Sequence, residues 1–157
     1  MKIVKKILIG LLIILFTLQL YQPERNNTKG NHTEVFLAET NPPEDVRLIL
    51  KSTCYDCHSN QTTYPWYAYI APVSYWMNDH IRHGKGELNF SDWQNYSKKK
   101  KDHKLEEVME EVQADKMPIE NYTWMHANAQ LNKEQKESIA AWVQKTRVLY
   151  QLGRQPE

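Results

Sequence analysis

The sharpest hydropathic contrast in the chain is at its head. Lys2, Lys5 and Lys6 lead into Ile7–Leu20, a run in which only Thr17 and Gln19 are polar. A basic flank followed by an apolar stretch of this length is the pattern of an export signal. No small-x-small cleavage site follows it. With the lysines snorkelling, Ile3–Tyr21 would form a helix of about 28 Å, close to the thickness of a bilayer core. The pattern therefore predicts a signal or anchor helix over 1–21, lysines inside and the rest of the chain exported; the alternative is release after cleavage. Residues 22–41 are polar, lack periodicity and read as a flexible tether.

From residue 42 onward the periods are helical. Asn41, Pro42 and Glu44 make a helix start, and Val46, Ile49 and Leu50 form an apolar stripe running into Cys54. Pro72 opens a helix over 72–83 that Gly84 and Gly86 bring to an end, and Ser91 with Gln94 caps a short helix over 91–97. Leu105, Val108, Met109 and Val112 recur at helical spacing until Met117-Pro118. Asn132 with Gln135 caps the last helix, whose inner face is Ile139, Trp142, Val143 and Leu149. The Lys98–Lys101 run reads as a solvated face. No segment alternates as a strand. The expectation is an all-α fold, with one domain over 42–152.

Composition narrows the function. At 157 residues there is room for one domain. Twenty Lys and Arg against nineteen Asp and Glu leave +1, too balanced for a nucleic-acid-binding protein, and no glycine-rich nucleotide loop occurs. Beyond residue 30 the balance is −3. From Pro43 to the end there are 19 Leu, Ile, Val and Phe but also 13 Trp and Tyr. Such a domain either has a thin, aromatic-heavy core or completes it with an apolar group that is not protein, which a tetrapyrrole would do well.

The candidate chemistry lies in Cys54-Tyr55-Asp56-Cys57-His58, which contains the only two cysteines. C-x-x-C-H is the attachment signature of c-type haem. Two thiols one helical turn apart add to the two haem vinyl groups as thioethers, and the adjacent His58 binds the iron. The rival readings are a CxxC redox pair, which calls for a βαβ context, a zinc site, which calls for a fourth ligand, and a structural disulfide, which would close a very short loop. For the sixth iron ligand Met117 stands first, in a loop before Pro118; Met77, Met125, His80 and His126 are the other candidates. Met109 lies on a helical stripe and reads as core.

The chain resembles the bacterial haem-binding domain family, small exported proteins similar to class I cytochromes c. The resemblance runs from about Gln22 to Val143. It rests on CYDCHSN (54–60), YPWY (64–67), IAPVSYW (70–76), His80, LNFSDW (88–93), the Met117-Pro118 pair with Tyr122 and His126, and AAW (140–142). It implies one covalently bound haem c and electron transfer, with an unidentified redox protein as partner.

It also directs attention to Tyr64, Trp66 and Tyr67 as donors to the haem propionates, against plain aromatic packing. Pro72 lies where its carbonyl would accept the His58 ring N–H. The function expected is a monohaem electron carrier, not an enzyme, on the periplasmic side of the inner membrane and held there through residues 3–21. The alternative is a haem sensor, ligand-binding or peroxidase module with an open distal position.

Overall fold

The structure is a computed structural model and describes residues 2–30 and 32–153. Met1 of the expected head and Asn31 of the expected tether lie outside these. Eight α-helices make up the described chain: α1 (Lys2–Gln19), α2 (Glu34–Thr40), α3 (Glu44–Ile49), α4 (Tyr55–His58), α5 (Val73–Glu87), α6 (Lys98–Gln113), α7 (Glu120–Met125) and α8 (Lys133–Gln151). A π-helical turn, Leu50–Cys54, joins α3 to α4, and short 3₁₀ turns cover Trp66–Tyr69, Phe90–Asn95 and Ala127–Ala129. Among the described residues no strand forms, only an isolated antiparallel bridge between Asn27 and Gln61. The all-α expectation holds.

The core gathers where α2, α3, α6, α8 and the Phe90–Asn95 turn meet. Phe36 is its hub, fully buried, with ring centroids 4.5 Å from Phe90, 5.0 Å from Trp93 and 6.1 Å from Trp142. Val46, Leu50, Leu105, Ile139 and Val143 close around these rings. The last helix starts as its sequence predicts: Asn132 Oδ1 accepts from Gln135 N, and Gln135 Oε1 accepts from Asn132 N.

Several expectations are corrected. Residues 22–41 are not a free tether. Asn41 ends α2 in the left-handed conformation (φ 38°), and α3 instead starts after Pro43. Phe36 of α2 is in the core, and Glu39 accepts from Lys101 Nζ (2.7 Å) and Tyr150 Oη (2.8 Å). Further upstream, the Asn26 side chain donates to Ser59 O and Thr62 Oγ1, each at 2.8 Å, and accepts from Lys85 Nζ at 2.7 Å. A polar segment with one well-placed aromatic is thus held by hydrogen bonds that no periodicity reveals.

The lysine run is not wholly solvated either: Lys101 is 8% exposed because of its pairing with Glu39. Helix α5 passes through Gly84 and Gly86 to Glu87. The turn at 90–95 is 3₁₀ and is capped by Asn89, not by Ser91. The head forms α1, but among the described residues no helix is long and apolar enough to cross a membrane. Lys2, Lys5 and Lys6 lie within its 18 residues, so the uncharged part from Ile7 to Gln19 measures about 20 Å, short of a bilayer core of about 30 Å.

Phe36→Ala is expected to lower unfolding free energy by about 3–5 kcal/mol, the usual cost of emptying a buried Phe site. Denaturant titration of the full chain measures it; a loss within a few tenths of a kcal/mol would mean that α2 is peripheral to the fold.

Candidate haem site

The CxxCH segment lies at the junction of the π-turn and α4, and α5 presses directly on it. A Cβ placed on Gly84 would lie 2.9 Å from the Cys57 carbonyl oxygen, 3.3 Å from Cys57 Cβ and 3.4 Å from His58 Cε1. Only a residue without a side chain lets the helix come this close, so Gly84 serves packing here and does not terminate the helix. Four residues on, α5 ends at Leu88, whose carbonyl faces the His58 ring: Nδ1 lies 3.0 Å from Leu88 O. A carbonyl only accepts, so Nδ1 carries the proton and Nε2 is left with the lone pair that binds a metal. Phe90 packs across the same turn, with its centroid 5.5 Å from Tyr55 and 6.4 Å from His58.

Burial keeps the two thiols and the imidazole of this turn uncharged. Burial lowers the His58 pKa below the ordinary imidazole value, with the Leu88 carbonyl pulling the other way, so the ring is neutral at pH 7. Burial, aided by the neighbouring thiol, pushes Cys54 up to about 12; burial and the Asp56 carboxylate push Cys57 up to about 11. Both are free thiols and stay protonated at neutral pH. That is the opposite of the lowered pKa that makes a CxxC pair reactive. Among the described residues no three His, Cys, Asp or Glu side chains are grouped so as to hold a metal ion, so no protein zinc set surrounds the cysteines.

Two cavities flank the turn. The larger, about 260 Å³, is bounded by Cys54, His58, Leu88, Phe90, Val108 and Met117, among others. Lys104 borders it too, its ammonium 2.6 Å from Glu107 and 3.9 Å from Glu87. The smaller, about 50 Å³, lies on the Cys57 side, with Tyr67, Met77, His80, Met125 and His126 along it. Of the distal-ligand candidates, Met117 alone shares a cavity with His58; Met77, Met125, His80 and His126 are gathered at the other.

The three aromatic candidates do not share one cavity, although the Trp66 and Tyr67 rings pack edge to face with centroids 5.8 Å apart. Tyr67 borders the smaller cavity, its hydroxyl 3.5 Å from His126 Nε2. The Tyr64 hydroxyl accepts from the Asn26 backbone at 2.9 Å, and Trp66 faces solvent. The carbonyl that takes the His58 N–H belongs to Leu88 and not to Pro72, whose own carbonyl accepts from Tyr75 N and Trp76 N in the first turn of α5. Sequence reasoning missed Gly84 and Leu88. It also missed Asp56, which accepts from Thr63 N (2.8 Å) and Tyr122 Oη (2.9 Å) and so braces the turn from its second x position. A glycine four residues before Leu88, inside an otherwise continuous helical pattern, was the available signal.

A haem suits these residues. The wall is mostly apolar, the imidazole is neutral with Nδ1 anchored by the Leu88 carbonyl, and both thiols are protonated, Cys54 bordering this cavity and Cys57 the smaller one.

Two measurements probe the geometry. Gly84→Ala is expected to destabilise by about 1–2 kcal/mol, because overpacking against Cys57 outweighs the gain of about 1 kcal/mol in helix propensity. At Gly86 a Cβ meets nothing within 4 Å. There the same change is expected to stabilise by up to about 1 kcal/mol; equal effects at the two sites in thermal melts would refute the close approach. In haem-free protein at pH 8, Cys57 is expected to alkylate about a hundredfold more slowly than an ordinary thiol, speeding up about tenfold per pH unit until near pH 11. Fast labelling at pH 8 would show an exposed thiol.

A family model described as a haem-binding domain matches residues 13–145. No curated protein matches the chain. No solved structure matches it either. A match over most of the chain makes the protein a member of the haem-binding domain family.

Proposed function

We propose that the protein is an exported monohaem c-type cytochrome that passes single electrons between partner proteins. The observation that carries this reading is the cavity shared by Cys54, His58 and Met117. Cys54 and Cys57 each add a thiol across a vinyl group, sulfur bonding to one carbon and hydrogen to the other. That holds the cofactor where dissociation would lose it. His58 ligates through Nε2, its ring fixed by the Leu88 carbonyl so that the lone pair keeps one direction. Met117 supplies a thioether from the loop after α6; His/Met ligation raises a haem potential and suits electron transfer. The bound haem supplies a one-electron Fe(III)/Fe(II) couple.

With His58 and Met117 as its ligands the iron would offer no open position to a substrate, so the role we propose is that of a carrier and not an enzyme. The lysine-led apolar head supports export to the periplasmic face of the inner membrane. The acidic surplus beyond residue 30 suits a basic face on the partner.

The test is expression with a cytochrome c maturation system, followed by haem staining of a denaturing gel and absorption spectra of both redox states. Haem that survives denaturation is expected, with a low-spin spectrum and a sulfur-to-iron band when oxidised. Met117→Ala is expected to abolish that band and lower the potential. A spectrum unchanged by Met117→Ala would favour a ligand-binding or peroxidase module with an open distal position. No covalent haem at all would overturn the reading.

A further inference from the structure

Large apolar side chains are exposed in two places that meet. The first is α1, in which no residue is buried. The second is the segment 66–76, where Trp66 is 75% exposed and Trp76 43%, with Tyr69, Ile70 and Val73 also open to solvent. The end of α1 is fastened into the second patch. The Gln19 side-chain amide makes a two-way bond with Ala71, its Nε2 donating to Ala71 O (3.2 Å) and its Oε1 accepting from Ala71 N (3.0 Å). The Tyr75 hydroxyl reaches the carbonyl oxygens of Leu18 and Tyr21, and the Tyr21 and Tyr75 rings lie 5.9 Å apart. These bonds satisfy carbonyls at the C-terminal end of α1 that would otherwise need water. The matched family region begins at residue 13, so this joint lies inside it.

We infer that the exposed ring of Trp66, Tyr69, Ile70, Val73 and Trp76 is a lipid-contacting collar, which seats the haem domain on a phospholipid surface at the depth where α1 leaves it. Three features select lipid. The patch is continuous with an apolar helix that buries none of its residues and is bonded to the domain at its C-terminal end, through Leu18 and Gln19. Its residues are of the amphipathic aromatic and aliphatic kind that settles at the headgroup level, an apolar body with a polar edge. Arg25 lies beside it with its guanidinium 3.7 Å from the Tyr69 ring centroid, a cation placed to meet lipid phosphate. Helix α1 is too short to cross, but the collar adds contact area at its exit. Together they form one surface that holds the domain in a fixed orientation, where a bare tether would let it tumble. The inference does not depend on the haem reading.

The experiment places the full chain in phosphatidylethanolamine/phosphatidylglycerol vesicles containing a phospholipid with a photoreactive group near the headgroup end of one acyl chain. Adducts are then mapped by peptide mass spectrometry. Lipid adducts are expected on residues 66–76 as well as on α1, and not on the peptide around Val148, an exposed apolar residue of α8. Gln19→Ala with Tyr75→Phe, which loosens the joint, is expected to deplete the collar adducts and keep those on α1; circular dichroism verifies that this variant is folded. Adducts confined to residues 2–21 would overturn the inference. Collar residues protected by crosslinks to a second copy of the chain would overturn it as well, in favour of a protein interface.

Discussion

The close approach of α5 to the Cys57–His58 turn is the constraint on which the site depends. A helix can come within 2.9 Å of a neighbouring carbonyl, measured from where its Cβ would be, only at glycine, and that is Gly84. The same helix, ending one turn later, delivers the Leu88 carbonyl to His58 Nδ1. Ring orientation, tautomer and the direction of the free nitrogen thus follow from one backbone contact. Phe90, two residues beyond Leu88, then joins the turn to the core by packing on Tyr55 at one edge and Phe36 at the other.

That core is small and depends on groups far apart in the chain. Phe36 belongs to a segment of low hydrophobicity, yet it is surrounded by Phe90, Trp93 and Trp142. Glu39, three residues on, is half-buried and meets both Lys101 and Tyr150. Burying a carboxylate and an ammonium is costly unless they are paired with good geometry, and here the pair also fixes α2 against α6 and α8. Asn26 does the same in neutral form, tying the chain before α2 to Ser59 and Thr62 just past the cysteine turn. The polar N-terminal segment is therefore part of the wall behind the site.

The thiols and the imidazole of the turn are uncharged, and its one carboxylate, Asp56, is held by neutral donors from Thr63 and Tyr122. Lys104 lies at the cavity edge, already bonded to Glu107. A mostly apolar interior suits a large, flat, mostly apolar group, and haem has that character. The low polarity that raises the thiol pKa values also keeps both sulfurs protonated at neutral pH, unlike the lowered-pKa thiol of a reactive CxxC pair.

The sequence by itself determined the all-α class, the capped start of α8, the cysteine turn with its histidine, and Met117 as a candidate at a loop before proline. Each of these is a local pattern, read within a few residues: a helical period, an Asn132/Gln135 box, a C-x-x-C-H spacing. Tertiary structure decided the rest. That Gly84 lies inside a helix, that Leu88 and not Pro72 accepts from the His58 ring, and that Phe36 belongs to the core while Glu39 pairs with Lys101 are outcomes of contacts between residues tens of positions apart. Met117 and His58 face one cavity while His80 and His126 are gathered at another, a partition that comes from how α5, α6 and the loop before α7 stack. Local pattern encodes which groups a segment offers. Which of them meet depends on close packing across the whole chain, and a single steric allowance, such as a missing Cβ, carries no periodic trace.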